Sequence, residues 1–75
     1  MERYKDIDGD SGVAGYEIGP DYIRVKFSDG SVYLYTYASA GPNNIEEMKR
    51  LAATGEGLNA FIIKNVRKRY AKKER

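Results

Sequence analysis

Two sets of side chains in this sequence have the chemistry to bind a nucleic acid. The last twelve residues carry seven bases against one acid, Glu74; the bases are Lys64, Arg67, Lys68, Arg69, Lys72, Lys73 and Arg75. Two tyrosines alternate at Tyr33 and Tyr35, close to the bases Arg24 and Lys26. Because cations neutralise phosphates and aromatic rings stack on unpaired bases, this combination predicts a site for RNA.

Enzymatic chemistry is disfavoured by what the chain lacks. It contains no His and no Cys, so the usual general base and the main zinc, iron and copper ligands are missing. The run Asp6-x-Asp8-x-Asp10 echoes a calcium loop, but Ser11 stands where that loop needs Gly. We therefore expect no enzyme, no metal and no small-molecule cofactor.

Length and composition predict a single small domain. The chain has 75 residues, 41% of them hydrophobic, with a net charge of +2. It has no apolar run near the roughly 20 residues that span a bilayer, and no signal-peptide core. With no Cys for disulfides, it is expected in the cytoplasm without a membrane partner. Residues 1–11 are expected to be a flexible tail, 12–71 the folded domain and 72–75 a basic tail.

Three strands and two helices are expected to position these side chains. Residues 13–18 predict a first strand, and residues 22–27 alternate apolar and polar side chains as in a half-buried strand. Asp29-Gly30 is a hairpin signal, and residues 32–37 return as a third strand. A first helix is expected from Asn44 to Gly55, after a linker over residues 38–42.

The second helix carries the predicted binding surface. It is expected to begin at Asn59, with one apolar stripe of Ile62, Ile63, Val66 and Tyr70 and the basic residues on the opposite arc. The fold class is then α+β, a three-stranded antiparallel meander followed by two helices packed on one face (βββαα).

A series of short motifs follows the chain in a fixed order: Gly15-Tyr16-Glu17, Ile23-x-Val25-x-Phe27 with Gly30, Tyr33-Leu34-Tyr35, Ser39-Ala40-Gly41, and Gly57-Leu58-Asn59-x-Phe61-Ile62 with Val66 and Tyr70. Together these motifs resemble the KTSC domain. That family is a short module at the C-terminus of some lysyl-tRNA synthetases and also occurs as free-standing small bacterial proteins. The likeness covers roughly residues 11–71, and it includes Tyr33 and Tyr35 as the family's central motif. RNA binding has been suggested for the family, so the resemblance implies RNA as a partner.

The register of the hairpin decides which way the tyrosines face, and two registers are open. With a two-residue turn, Phe27 pairs with Val32, and Tyr33 and Tyr35 lie on the outer face beside Arg24. With a three-residue loop and a bulge at Gly30, Phe27 pairs with Ser31 instead, and both tyrosines enter the core. Slipping by one residue moves every side chain of the third strand to the other face.

Two functions follow from these patterns. The first is a binding module for RNA, mainly electrostatic and non-specific, whose contacts depend on the last helix presenting its bases as one continuous strip. Its candidate residues are Arg24, Lys26, Phe61, Lys64, Arg67, Lys68 and Lys72. The alternative is a protein–protein or homodimerisation module without a nucleic-acid role. In the bulged register, it would use the open sheet face formed by Tyr22, Val32, Leu34 and Thr36.

Overall fold

A computed structural model describes residues 1–5 and 12–75 of the chain. The flexible tail predicted for residues 1–11 lies outside the described residues at positions 6–11. The described part is an α+β fold in which helices pack on one face of an antiparallel sheet, as expected. Across the described residues, the sheet has five strands in the order β1-β2-β3-β4-β5 rather than the predicted three. The strands are β1 (Glu2–Arg3), β2 (Val13–Ile18), β3 (Tyr22–Phe27), β4 (Val32–Thr36) and β5 (Lys72–Lys73), and the helices are α1 (Tyr37–Ala40), α2 (Pro42–Thr54) and α3 (Leu58–Phe61).

The hairpin between β3 and β4 adopts the three-residue register. The Phe27 amide donates to the Ser31 carbonyl at 2.8 Å, and Gly30 has a φ of 91°, a left-handed value that favours glycine. This register pairs Ile23 with Tyr35 and Val25 with Tyr33. Partners across an antiparallel sheet share a face, so both tyrosines lie on the helix-covered face.

The core lies between that face and the helices. Tyr35 is its largest fully buried side chain, with 1% of its surface exposed. Burial disfavours the tyrosinate anion and raises the pKa of Tyr35 to about 12. The other buried apolar residues are Tyr4, Val13, Ile23, Val25, Ala40, Ile45, Met48, Ala52, Leu58, Ile62 and Val66.

The structure adds one short helix that was not predicted, and it moves the start of the first predicted helix but not its end. Residues 38–40, expected in a linker, belong to α1, because Thr36 and Ser39 cap that helix reciprocally. Helix α2 begins at Pro42, whose fixed φ suits the first helical position, two residues before the predicted start. Its last residue is Thr54, and the predicted Gly55 caps it with a left-handed φ of 80°.

The last predicted helix is much shorter than expected. It begins at Leu58, one residue before the predicted Asn59, and α3 continues as a π-helical segment that ends at Val66. The predicted apolar stripe is also only half right, because Ile63 is 54% exposed and Tyr70 is 39% exposed.

Residues predicted as tails complete the sheet at both edges. Strand β5 pairs with β4, so residues 72–73 are not a free basic tail. Strand β1 pairs with β2, and Tyr4 beyond it is buried, its hydroxyl accepting a bond from the Leu58 amide at 3.2 Å. An edge strand exposes unpaired N–H and C=O groups, and these two short strands bond to those groups.

Candidate nucleic-acid interface

A cleft of about 510 Å³ lies between the β3–β4 hairpin and the residues that follow α3. The hairpin contributes Phe27, Asp29 and Tyr33 to its walls. The opposite side is formed by the π-helical segment and the chain after it, including Arg67, Lys68 and Tyr70. The cleft therefore combines aromatic rings from both sides with two cations from one side.

The aromatic side chains form a connected cluster centred on Tyr33. The Tyr33 ring meets Phe27 edge-on with centroids 5.5 Å apart and meets Tyr70 edge-on at 4.8 Å. It also stacks with Tyr35 at 6.5 Å and an interplanar angle of 27°. We call these four rings the aromatic cluster. Tyr35 anchors it in the core, whereas Tyr70 is 39% exposed and carries it to the surface.

The cations around the cleft form no ion pair with any described acid. Arg67 and Lys68 are exposed, and the Lys73 ammonium lies 5.7 Å from the centroid of the Tyr33 ring. Among residues 1–5 and 12–75, no acid forms an ion pair with any of the seven bases from Lys64 to Arg75. The charge of this segment is therefore available to an anionic ligand as far as the described residues are concerned.

One carboxylate also lines the cleft. Asp29 accepts hydrogen bonds from the hydroxyl and the amide of Ser31, at 2.7 and 2.9 Å. These bonds hold the pKa of Asp29 below its usual value, so the carboxylate is ionised at neutral pH. It also attracts the Lys73 ammonium, and it will repel a phosphate placed at the hairpin end.

The structure brings together four of the nine residues predicted from the sequence. Arg67, Lys68, Tyr33 and Tyr35 all line the cleft. Lys64 is exposed on the π-helical segment near it along the chain. The remaining four predicted residues, Arg24, Lys26, Phe61 and Lys72, lie elsewhere.

Arg24, Lys26 and Lys72 belong to the opposite face of the sheet. Arg24 alternates with the buried residues of β3, and its guanidinium forms ion pairs with Glu17 and Glu74, each at 2.7 Å. The Glu74 carboxylate raises the pKa of Arg24, and the two acids neutralise its charge. Lys26 is exposed, and Lys72 lies on β5 opposite Leu34. These three bases cannot contact the same short ligand segment as Arg67 and Lys68.

Phe61 does not present its ring among the lysines. It is half-buried and packs against the hydrophobic core. First-turn side chains of a helix fold back onto neighbouring elements, and this explains the position of Phe61.

Sequence reasoning missed Phe27 and Tyr70 as site residues, and it counted Lys73 among the basic residues without predicting its place beside the aromatic cluster. Phe27 and Tyr70 were assigned to the core because each falls in an apolar pattern. Lys73 was assigned to a tail because lysine disfavours strands and no local pattern predicts β5. One signal could have predicted β5. In a three-stranded meander the third strand lies at the edge of the sheet, and its unpaired backbone groups need hydrogen-bond partners.

Comparison with known proteins yields no relative: no family model matches the chain, and neither the curated proteins nor the solved structures contain a match. The resemblance to the KTSC domain stays a prediction. Within the described residues, no helix has the length and apolar character needed to cross a membrane.

Proposed function

We propose that the chain is a small binding module for single-stranded RNA, with the cleft as its binding site. The observation that carries this proposal is the exposed Tyr70 ring against Tyr33, flanked by Arg67, Lys68 and Lys73. An exposed ring at a cationic groove is the combination that proteins use to bind single strands without sequence preference.

Stacking and charge would contribute separately to binding. A base placed on the open side of Tyr70 gains about 1–3 kcal/mol, and every base has a face that can stack there. Phosphates on either side of that base would meet the exposed cations of the segment, each releasing a condensed counterion from the strand. Binding of this kind tolerates any sequence and weakens steeply with salt.

This basis differs from the one that the sequence predicted. A continuous basic strip along one helix is absent, because the helix ends at Val66 and the cations divide between the π-helical segment, a turn and β5. Without that strip, the helix gives no support to the proposal. The support comes from the cleft, where the hairpin meets residues 64–75, which we call the C-terminal segment.

A salt titration with a labelled ten-nucleotide oligouridylate tests the proposal. If five of the seven bases contact phosphates, log K should fall against log salt with a slope of roughly −3.5, at about −0.7 per contact. Chemical shifts of Tyr33 and Tyr70 should move with the oligonucleotide and should not move with inorganic polyphosphate, which cannot stack. A slope near zero would exclude the electrostatic mechanism. Equal shifts with both ligands would reduce the site to general anion attraction.

Homodimerisation is a second candidate, because in the observed register no helix of residues 1–5 and 12–75 covers the second face of the sheet. Val32 and Leu34 lie on that face, half-exposed, beside Tyr22 and Thr36. Light scattering over a dilution series would detect self-association without a polyanion. A monomer at all concentrations would remove this candidate and leave the RNA proposal untouched.

A further inference from the structure

The last residues of the chain contribute Tyr70 to one wall of the cleft and place Lys73 over the Tyr33 ring. We call residues 69–75 the C-terminal strap. Its strand β5 has only two residues. The backbone bonds that hold it to β4 include the Ala71 amide to the Leu34 carbonyl and the Glu74 amide to the Val32 carbonyl, both at 2.7 Å, and a reciprocal pair between Val32 and Arg75 at 3.0 and 3.2 Å. Short edge strands of this kind open easily, because few hydrogen bonds hold them.

A side-chain contact fastens the strap on the face of the sheet opposite the cleft. The Glu74 carboxylate reaches across β4 to Arg24 on β3, with 2.7 Å between Oε1 and Nε. Arg24 is itself held by Glu17 on β2 and lies over the Tyr22 ring, 5.0 Å from its centroid. The guanidinium is therefore oriented before Glu74 arrives, so the pair loses less side-chain freedom than an ordinary surface pair would.

Neighbouring residues of the strap contact opposite faces of the sheet. Glu74 engages Arg24 on one face, and the preceding residue, Lys73, lies over Tyr33 on the other. Successive residues of a strand point to opposite faces. A strap fastened at Glu74 therefore holds Lys73 over Tyr33 and holds Tyr70 against the other rings of the aromatic cluster.

We infer that Glu74 is a positioning residue for the cleft, acting through Arg24 to keep the strap closed. The inference deepens the proposed function, and it rests on that function wherever RNA is the ligand. Its distinctive consequence is that an acid promotes the binding of a polyanion. A loosened strap lowers the fraction of molecules with a complete cleft, and affinity falls by the same factor.

A pair of charge-matched variants separates this role from simple electrostatics. Glu74→Gln and Glu47→Gln each remove one acid, and Glu47 lies on α2, paired with Arg50. Electrostatics alone predicts that both variants bind oligouridylate more tightly. The strap contact predicts that Glu74→Gln binds about two- to fivefold more weakly, while Glu47→Gln does not weaken. Tighter binding by Glu74→Gln would overturn the inference.

Hydrogen exchange in the free protein tests the strap without any ligand. The amides of Ala71 and Glu74 should exchange about two- to fivefold faster in Glu74→Gln, while those of α2 stay unchanged. Unchanged exchange at Ala71 would refute the positioning role. Faster exchange in a protein that binds no RNA would support the strap contact and refute the proposed function, so the two failures are distinguishable.

A disulfide between β4 and β5 should restore binding in the Glu74→Gln variant by holding the strap in place. Leu34 and Lys72 are direct partners across β4 and β5, and such partners have Cα atoms about 4.5–5.5 Å apart, within the range that a disulfide bridges. The chain has no native Cys to interfere. In the variant Leu34→Cys/Lys72→Cys/Glu74→Gln, oxidation should restore the affinity that the reduced form has lost. Equal affinity of the two forms would contradict the inference, since their other residues are identical.

Discussion

Helix α2 and the C-terminal segment both carry bases, but only the segment has charge to offer a ligand. On α2, Lys49 lies 2.9 Å from Glu46, and Arg50 is bonded to Glu47. Each of these bases follows its acid by three positions, which brings the two side chains together on a helix. From Lys64 to Arg75 the one acid is Glu74, and it bonds to Arg24 instead.

The difference shows that a count of bases does not measure a binding surface. Arg24 was predicted as a binding residue for its charge, yet its two carboxylate partners leave it little attraction for phosphate. A base remains available to phosphate only where no acid lies close to it in space. The sequence reveals such acids only when they are neighbours along one helix. The contrast between α2 and the C-terminal segment can be tested by changing each in the same way.

Removing two bases from each region should give the largest contrast. Arg67→Gln/Lys68→Gln should reduce the salt slope for oligouridylate by about 1.4, equivalent to about 25-fold weaker binding at 0.1 M salt. Lys49→Gln/Arg50→Gln makes the same change in net charge where both charges are already paired, and should alter affinity less than about twofold. Fluorescence anisotropy across a salt series measures both. Equal losses would mean that net charge alone drives binding.

Replacing one tyrosine near each region tests the same comparison, with a smaller expected effect on affinity. Tyr70→Leu should weaken oligouridylate binding by about tenfold, because it removes one stacking ring. Tyr37→Leu is the matched change: its ring also lies near a lysine, Lys49, at 5.6 Å, but that lysine is paired with Glu46. We expect affinity to be unchanged in Tyr37→Leu. A loss in Tyr37→Leu equal to that in Tyr70→Leu would place the ligand outside the cleft.

The smallest expected effect concerns the stability of the fold in acid. Here the variant in α2 should respond, and the variant in the C-terminal segment should not. The Tyr37 hydroxyl and Lys49 lower the pKa of Glu46, and Arg50 lowers the pKa of Glu47. Carboxylates with a lowered folded-state pKa stabilise the fold above their usual value near 4.5, and this stability is lost as the pH falls through the folded values.

Melting temperature measured by circular dichroism from pH 6 to pH 2 tests this expectation. Glu46→Gln/Glu47→Gln should flatten the fall of the melting temperature with acid, because those two groups no longer titrate. Arg67→Gln/Lys68→Gln should leave the fall unchanged, since no described carboxylate depends on either base. An unaltered acid profile in the first variant would show that the α2 ion pairs add nothing to stability.

Local patterns predicted several elements with their observed bounds. The alternation from Tyr22 to Phe27 became β3, and residues 13–18 became β2, because a period of two suits a strand half-covered by helices. Gly55 ended α2 as predicted, since only glycine adopts its left-handed φ without strain.

The candidate site was harder to predict because its parts are far apart along the chain. Tyr33 and Tyr70 meet only after β4 has paired in one register and the last helix has ended early. The helical pattern of the sequence continues past Val66. The unpaired edge of β4 competes for the same residues, because its backbone groups gain hydrogen-bond partners when β5 pairs with it. Competition between distant elements cannot be deduced from either segment alone.

By its own composition and periodicity, the sequence determined an α+β domain with a tyrosine-rich hairpin and a basic C-terminus, since these depend on neighbours in the chain. Only the tertiary structure decided the register that puts Tyr35 in the core, the pairing that removes Arg24 from the cationic surface, and the strand that places Lys73 over Tyr33. The physical reason is that each of these outcomes depends on hydrogen bonds or charges whose partners are brought close by folding, with Glu74 and Arg24 separated by fifty positions.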